Sequence, residues 1–531
     1  QQSRLSRGTL ALIMRYILIY ISILINVNFI YSQDNFQKVL ATDEWDLGLD
    51  IIQTENSDIV VTGYTQGIGA GYRDIFITRL TNTGDALWTK TYGGVLDGDF
   101  GRSVIETTNN DLIIVGTTCS YGSGEFDIFV IKTNENGETI WTKTYGTNLS
   151  EHAYTVKESN DGFYVISGYI ENDNIDYDIF ILKIDTIGNL IFSKQYGDEF
   201  REYGYDMSLT DDNGIIVVGS RTDEITSYER NLYILKTDSN GNLEWTKTYR
   251  GSSVSEATAI AKSDNGSYII SGFIATAVSN GYLIRIDSSG NKVWSRNFGG
   301  DLEDKFLDVA ITTDGGFIAT GYSRDFGPGI YNIYMVKTDA YGDTLWTSIL
   351  SHSEIDICYS IIETDDGGFC LTGCTYIPNF GEYAISILKI DNEGNGSCNN
   401  YCTSTISYNI SEVQGSGGVE NLYVCSTTYV QPIEGNKFLI DSNLCEIVNL
   451  QYLKENESVM LYPNPSNSII YLSLSEQEIE QITLYNIHGN EIKKYTGVNS
   501  FSVGSLRNGV YLIRILDKNN NMYINKFIKN N

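Results

Sequence analysis

The stretch DIFVIKTNENGETIWTKTYG, residues 127–146, has two runs of β-branched and aromatic residues separated by a turn rich in Asn and Gly. This arrangement is typical of a β-hairpin. Close variants occur at 74–94 (DIFITRLTNTGDALWTKTYGG), 231–251 (NLYILKTDSNGNLEWTKTYRG) and 332–350 (NIYMVKTDAYGDTLWTSIL). The hairpin is therefore part of an internal repeat.

Seven glycines mark the same place in successive repeats, each at the end of an apolar run such as IIVVG. Their spacings are 53, 52, 51, 53, 49 and 52 residues, and they are Gly63, Gly116, Gly168, Gly219, Gly272, Gly321 and Gly373. The second repeat contains four strand candidates: RSVIETT, LIIVGTT, DIFVIKT and TIWTKTYG. Four antiparallel strands every ~50 residues indicate a β-propeller with one repeat per blade, because solenoid repeats are usually shorter.

The two ends of the repeat region are complementary. The seventh repeat stops after AISILKID, residues 384–391, without its Trp-containing strand. The stretch at 35–54 begins in the missing phase, with Phe36 where Trp88 stands and Lys38 where Lys90 stands. We therefore expect an all-β fold in which residues 33–396 form a seven-bladed β-propeller closed by the N-terminal strand, which leaves no open edge between the first and last blades.

Large aromatic residues recur on the fourth strand of the repeats. A regular repeat position usually serves packing between blades, although sugar stacking is an alternative. These residues are Trp88, Trp141, Phe192, Trp245, Trp294 and Trp346. Trp45 is out of phase with them, and we expect it to make a surface contact.

Each repeat also has an acidic residue just before its first strand. These are Asp46, Asp99, Glu151, Glu202, Glu256, Asp304 and Asp356. They are predicted to ring one rim of the central channel. Three interpretations are open: the carboxylates bond to backbone N–H groups of their own loops, they bind a cation such as Ca²⁺, or they bind a basic ligand. The sequences DSNGN (238–242), DSSGN (287–291) and DNEGN (391–395) are similar to calcium loops, but their position between strands favours hairpin turns.

The net charge and the N-terminal sequence indicate which partners are disfavoured and whether the protein is exported. There are 67 acidic and 36 basic residues, for a net charge of −31, which disfavours nucleic acid and anionic membrane surfaces as partners. Residues 14–32 have the charged start and short apolar core of a signal peptide, with predicted cleavage between Ser32 and Gln33. Residues 1–13 are interpreted as preceding the true start, and no transmembrane span is expected in the mature chain.

Export would permit disulfides. Cys358 and Cys374 flank a predicted turn on adjacent strands, which suggests a cross-strand disulfide. Four more cysteines fall in a Gly/Ser/Thr-rich region, residues 397–455, interpreted as a linker module with one or two disulfides; its pairing is left open.

Two resemblances follow from these motifs. The stretch DGGFIATGYSRDFGPGIYNIYMVKTDAYGDTLW (314–346) resembles repeats in large secreted proteins of the Bacteroidota, which implies a propeller but no common activity. Residues 456–531 resemble the C-terminal sorting domain of the type IX (Por) secretion system. The matching residues are Tyr462, Pro463, Asn464, Pro465, Gly509, Tyr511, Lys526 and Lys529.

The second resemblance implies a small immunoglobulin-like β-sandwich that the type IX translocon and sorting machinery recognise. The protein is then expected outside the cell or on the outer-membrane surface, after passage through the periplasm.

The sequence favours a binding or structural protein over an enzyme. The chain has three His residues, far apart, and its acids mostly follow the repeat, so no catalytic residues and no organic cofactor are predicted. A glycan or a protein is the expected ligand of the propeller. The alternative is a secreted hydrolase or lyase acting on a polysaccharide or another extracellular substrate, with a site assembled from separate loops.

Overall fold

A computed structural model gives the fold. It describes residues 35–396 apart from 43, 97, 173–175, 223–228, 251–253, 264–265, 276–277 and 379–381, and seven short strands between 400 and 443. It also describes 461–529 apart from 463–468, 473–478, 486–490, 507–508 and 519–521. The predicted signal peptide and its cleavage site lie outside the described residues. No helix within the described ranges is long and apolar enough to cross a membrane. The chain divides into two compact units, residues 1–444 and 445–531.

The first unit is built from seven antiparallel sheets, each with four strands from the repeat region. Strand β1 (Phe36–Ala41) belongs to the last of these sheets. The other six sheets each consist of four consecutive strands. The first three are β2 (Asp46–Gln53), β3 (Ile59–Thr65), β4 (Asp74–Leu80) and β5 (Ala86–Gly93); β6 (Phe100–Glu106), β7 (Leu112–Thr118), β8 (Asp127–Thr133) and β9 (Thr139–Gly146); and β10 (Ser150–Glu158), β11 (Tyr164–Asn172), β12 (Asp176–Ile184) and β13 (Leu190–Gly197). The next three are β14 (Glu202–Leu209), β15 (Ile215–Thr222), β16 (Arg230–Thr237) and β17 (Leu243–Arg250); β18 (Ser255–Lys262), β19 (Tyr268–Ala275), β20 (Ser279–Ile286) and β21 (Lys292–Gly299); and β22 (Asp304–Ile311), β23 (Phe317–Ser323), β24 (Asn332–Thr338) and β25 (Thr344–Leu350). The last sheet is β26 (Asp356–Glu363), β27 (Phe369–Ile377), β28 (Glu382–Ile390) and β1.

The two middle strands of the sheets are mostly apolar and mostly buried. In β7 and β8 every residue is buried, and the same holds for β4 and β24. A strand covered on both faces gains from apolar residues at every position, whereas a strand covered on one face alternates. The neighbouring sheets therefore cover both faces of each sheet, in a propeller-like arrangement.

Neighbouring sheets contact each other through an aromatic residue and a glycine. The turn between the third and fourth strands holds a glycine with positive φ, and a Cβ added to Gly137 would lie 2.9 Å from the Trp88 ring of the preceding sheet. Equivalent pairs are Phe36–Gly84, Phe192–Gly241, Trp245–Gly290, Trp294–Gly342 and Trp346–Gly394, while Gly188 meets Tyr145. The indole nitrogens of Trp88, Trp141, Trp294 and Trp346 also donate to carbonyl groups of that following turn. These contacts confirm that the repeated aromatic residues pack between sheets.

The N-terminal strand takes the place that the phase of the repeats predicted. Strand β1 pairs antiparallel with β28, and Phe36 lies opposite Lys389. Trp88 lies opposite Arg79 in the same register of its own sheet. Phe36 therefore stands in the position of the repeated Trp, and it contacts Gly84 of the next sheet in the same way.

Residues 400–443 add a fifth strand to each of the seven sheets. The strands are β29 (Asn400–Tyr401), β30 (Ile406–Tyr408), β31 (Val413–Gly415), β32 (Val419–Leu422), β33 (Ser426–Tyr429), β34 (Ile433–Gly435) and β35 (Ile440–Asn443). They pair in turn with β25, β21, β17, β13, β9, β5 and β1, so the chain visits the sheets in reverse order.

This arrangement differs from the separate linker module expected at 397–455. The first compact unit runs to residue 444, and its last part hydrogen bonds to the outer edge of every sheet. Covering these edges hides backbone groups that would otherwise pair with other chains. Cys398, Cys402, Cys425 and Cys445 lie outside the described residues.

The predicted disulfide between Cys358 and Cys374 is absent, and both are free thiols. Cys374 lies opposite Ile357, whereas Cys358 lies opposite Gly373. Successive residues of a strand point to opposite faces, so the two sulfur atoms are directed away from each other. Burial raises the pKa of each thiol to about 12, so both remain protonated.

The second unit is a smaller β domain. Its strands are β36 (Leu461–Tyr462), β37 (Ile469–Leu472), β38 (Ile479–Tyr485), β39 (Glu491–Thr496), β40 (Ser500–Ser502), β41 (Gly509–Asp517) and β42 (Met522–Lys529). They form a three-stranded sheet, β36-β37-β40, and a four-stranded sheet, β39-β38-β41-β42. One apolar cluster joins residues of both sheets, including Ile470, Phe501, Ile482 and Ile513.

The contact between glycine and tryptophan predicts a specific cost for added side-chain atoms. Gly342 and Gly367 have the same φ of +79°, but a Cβ on Gly342 would lie 2.9 Å from the Trp294 ring, whereas Gly367 has no neighbour within 4 Å. Gly367→Ala should cost about 1–2 kcal/mol from backbone strain alone. Gly342→Ala should cost about 1–3 kcal/mol more, because the ring must shift.

Denaturant unfolding of the two variants measures the difference, with Gly367→Ala as the matched control. Equal destabilisation of both variants would show that the aromatic ring does not limit this position.

Candidate functional site

The first strands of the seven sheets line a central channel of about 980 Å³. Each of these strands has a β-bulge at the same place, where one extra residue interrupts the pairing with the second strand. A bulge turns a side chain out of the regular alternation. The bulge residues all line the channel: Leu49, Arg102, Tyr154, Tyr205, Thr258, Leu307 and Tyr359.

A second ring of mostly small or acidic residues follows the bulges. It consists of Asp50, Ser103, Thr155, Asp206, Ala259, Asp308 and Ser360. The three carboxylates bridge neighbouring sheets: Asp50 accepts from the Val104 N–H at 2.8 Å, Asp206 from Ile260 at 2.9 Å and Asp308 from Ile361 at 2.8 Å. These side chains thus supply polar contacts between the innermost strands.

Two of the three carboxylates have raised pKa values. Burial raises the pKa of Asp308 to about 7, and the charges of Asp206 and Asp50 add to this increase against the hydrogen bond from Ile361. Burial likewise raises the pKa of Asp50, although Lys157 opposes the effect. Asp308 and Asp50 therefore hold a proton more readily than free aspartate would.

Tyrosines cluster at one end of the channel. We call this end the loop face, because it carries the connections between consecutive sheets and between second and third strands, whereas the hairpin turns lie at the other end. The tyrosine cluster consists of Tyr154, Tyr169, Tyr177, Tyr203 and Tyr205. Tyr154 and Tyr205 have ring centroids 5.5 Å apart, and Tyr177 and Tyr203 stack at 5.0 Å.

Two arginines join this cluster. The guanidinium of Arg102 lies over the Tyr154 ring at 4.9 Å, and that of Arg230 lies over the Tyr203 ring at 4.6 Å. Arg230 also donates to the Tyr205 hydroxyl at 3.3 Å. Ring faces, phenol hydroxyls and guanidinium donors are thus presented together beside the channel.

Hydrogen bonds account for the seven predicted rim acids. Asp46 accepts from the Thr42 N–H at 2.7 Å, Glu151 from Thr147 at 3.0 Å and Asp304 from Gly300 at 2.9 Å. Asp99 and Asp356 accept in the same way from Gly94 and His352. Glu202 pairs instead with Arg221 at 2.6 Å, and Glu256 with Arg230 at 2.9 Å.

These contacts favour the interpretation that most of the acids anchor their own loops. Glu256 lines the channel, but the other six are buried, five of them beside the loops that they bind. Within the part of the chain that the structure describes, no three His, Cys, Asp or Glu residues lie close enough to hold a metal ion. The calcium-like sequences are hairpin turns: Asp238 accepts from the Asn240 and Asn242 N–H groups at 2.8 Å, and Asp287 and Asp391 make the same pair of bonds.

Other predicted residues are placed as follows. Trp45 is 43% exposed and meets Tyr383 edge to face at 5.1 Å, consistent with a surface residue. In the second unit Tyr462 pairs with Tyr471, Gly509 with Lys529 and Leu512 with Lys526. Tyr511 is buried in the core of that unit. Pro463, Asn464 and Pro465 lie outside the described residues.

The bulge residues and the ring that follows them were not predicted. They stand fourteen and thirteen residues before the seven repeat glycines. At the second of these positions six residues are Asp, Ser or Thr inside an otherwise apolar strand. That periodicity is the signal in the sequence that could have located the channel.

Comparison with known proteins identifies one region. Residues 460–530 match the family described as "Secretion system C-terminal sorting domain". A sorting domain of the type IX system marks a protein for handling by that secretion machinery, so the chain is exported or attached to the cell surface. The sequence matches no curated protein.

Several solved structures are similar at low identity. They include a protein of unknown function from Dyadobacter fermentans (9% identity, 67% of this chain and 98% of that chain, TM-score 0.39). Others are an α-L-arabinanase from Penicillium chrysogenum (11%, 67% and 98%, TM-score 0.38) and the polysaccharide lyase Uly1 (10%, 64% and 76%, TM-score 0.32).

The raised pKa of Asp308 predicts a pH dependence of stability. Because the folded pKa is about 7 and the ordinary value is 3.8, the folded state holds the proton more tightly than the unfolded state. The contribution of Asp308 to the free energy of unfolding is fully present below pH ~4. It is lost as the pH rises through the folded pKa of about 7, and the loss amounts to at most about 4 kcal/mol. Asp308→Asn should remove this part of the slope.

Denaturant unfolding of the parent and of Asp308→Asn between pH 4 and 8 measures this pH dependence of the free energy of unfolding. Asp85→Asn, at an exposed turn, is the control for the loss of one carboxylate. The assignment is wrong if parent and Asp308→Asn lose stability in parallel over this range.

Proposed function

We propose that this chain is a secreted or cell-surface binding protein that uses the loop face of a seven-bladed β-propeller to bind an extracellular glycan. The propeller is closed by the N-terminal strand, and a C-terminal immunoglobulin-like β-sandwich is the signal read by the type IX translocon. The signal peptide at 14–32 starts export.

The closed propeller is supported by the sequence of contacts between sheets. The aromatic–glycine contact joins each sheet to the next. The last sheet, in which β1 pairs with β28, makes this contact on both of its faces: Gly394 meets Trp346 of the preceding sheet, and Phe36 meets Gly84 of the following one. The innermost strands are joined by the three aspartates in the same direction around the channel. The β-sandwich is supported by the two sheets of the second unit and their shared core.

The observation that carries the binding function is the tyrosine cluster beside an open channel. Sugars present apolar C–H faces and a rim of hydroxyls, so they suit tyrosine, which offers a ring face and a polar tip on one rigid side chain. The channel volume of about 980 Å³ lies at the upper end of the range of ligand sites and suits an oligosaccharide. Tyr154 and Tyr205 bridge the cluster and the channel lining.

A secreted hydrolase or lyase is the second candidate. Asp308, with its pKa raised to about 7, is the observation in its favour, since such a group can act as a general acid or base near neutral pH. Its Oδ2 atom, however, already accepts from the Ile361 N–H and the Ser360 hydroxyl, and Oδ1 accepts from Val309. A carboxylate held in this way serves the contact between strands, so binding is the better-supported function.

A glycan-binding screen followed by calorimetry tests the proposal. Tyr154→Ala and Tyr205→Ala in the full chain should each weaken binding about 5- to 100-fold, as expected for loss of an aromatic stacking partner. Tyr341→Ala is the control, because Tyr341 is 73% exposed on a hairpin turn away from the loop face. Retained affinity in both loop-face variants would place the site elsewhere, and turnover of a bound polysaccharide would establish the second candidate.

Closure is tested separately. Removing residues 35–42 would leave one edge of β28 unpaired and Gly84 without its aromatic contact. The variant should melt at a clearly lower temperature than the parent, because one sheet edge and one face between sheets become exposed. An unchanged melting temperature would contradict closure by the N-terminal strand.

A further inference from the structure

Several cations on and near the loop face are paired with carboxylates. Arg230 lies 2.9 Å from Glu256, Lys305 lies 2.9 Å from Glu303, and Arg221 contacts both Glu202 and Asp198. Such pairing is expected in a chain with a net charge of −31, where acidic partners are abundant. Among the described residues, no carboxylate lies within ion-pair distance of Arg102.

Arg102 projects from the wall of the channel. It is the bulge residue of β6, between Gly101 and Ser103, and it lines the channel with Tyr154, Tyr205 and Tyr359. Its guanidinium packs over Tyr154 at 4.9 Å and over Phe100 at 5.7 Å. Its Nε atom is buried without a hydrogen-bond partner. The packing fixes the position of the charge, and no acceptor among the described residues occupies its donors.

The charge of Arg102 acts on several surrounding groups. Burial first, and the Arg102 charge second, lower the pKa of His152 to about 4, so this neighbour is neutral near pH 7. The same charge opposes the rise in pKa of Tyr64 and Tyr359. The Arg102 charge thus acts on three side chains around it, in a protein that is strongly acidic.

We propose that Arg102 binds the anionic group of an acidic glycan, a sugar carboxylate or a sulfate ester, at the tyrosine-lined end of the channel. A planar guanidinium with free donors matches the two oxygens of a carboxylate or sulfate in a fork. The tyrosine faces beside it would hold the sugar ring that bears the charge. This inference rests on the proposed glycan-binding function and adds the chemical class of the ligand.

The first part of the test compares ligands on the parent protein and needs no variant. Binding of an oligogalacturonate to the full chain is compared with binding of its methyl ester, which has the same sugar backbone without the charge, and with a sulfated galactan oligosaccharide. The free acid or the sulfated sugar should bind about 10- to 100-fold more tightly than the neutral ester, the range for a charge-assisted hydrogen-bonded pair. The stronger of the two charged ligands identifies the anionic group.

The protein side uses matched variants. Arg102→Gln should remove the preference for the charged ligand and reduce the salt dependence of its binding, whereas Arg102→Lys should keep part of both. Arg296→Gln is the control for loss of one positive charge, because Arg296 packs on Trp294 at the outer strand of its sheet. Binding of the neutral ester should be changed little by Arg102→Gln.

The outcomes separate the two proposals. Equal affinity for free acid, sulfated sugar and ester, unchanged in Arg102→Gln, overturns the role of Arg102 while glycan binding stands. If Arg102→Gln still binds the charged glycans more tightly than the ester, with the same salt dependence as the parent, the role of Arg102 is overturned as well. Binding of none of the glycans by the parent overturns both proposals.

Discussion

Each sheet of the first unit depends on a contact that it cannot make alone, between an aromatic ring on its fourth strand and a glycine in the hairpin of the next sheet. The glycine meets two demands at once. The turn requires positive φ, and the ring requires the space of a missing Cβ. Because both demands fall on one residue, each repeat must contain the same turn and the same aromatic residue. The repetition of the sequence follows from this coupling between neighbours.

The same coupling leaves the other end of the sheets free to vary. Packing between sheets uses the hairpin turns, so the bulge positions near the loop face are not bound to one residue type. They hold Leu, Arg, Thr and Tyr in different repeats, although the bulge itself occurs in all seven first strands. A constant backbone distortion thus presents a variable set of side chains to the channel, which is the separation of scaffold and site that a binding protein needs.

Much of the scaffold could be predicted from the sequence, because phase and turn chemistry are local signals. The place of Phe36 followed from its alignment with Trp88, and the Asp-x-x-Gly turns from their composition. Residues 400–443 could not be predicted in this way, since strands of two to four residues pair through the backbone and leave little periodicity. The Cys358–Cys374 pairing was wrong because it depends on register, and the bulge beside Cys358 changes that register without a trace in composition.

The seven acids that precede the first strands show a second limit of prediction from the sequence. Charge and spacing indicated that seven carboxylates share one environment, but not whether they face the channel or their own loops. Backbone N–H groups in the loops before the first strands need acceptors, so the loops take five of the seven carboxylates. Arg102 lies in the opposite situation. It occupies a bulge, where no carbonyl or carboxylate of the described residues accepts a hydrogen bond from it. The aromatic rings beneath it interact with the cation without accepting hydrogen bonds in its plane. A buried donor without an acceptor costs about 1–3 kcal/mol, and an anion entering the channel is the partner that would relieve this cost.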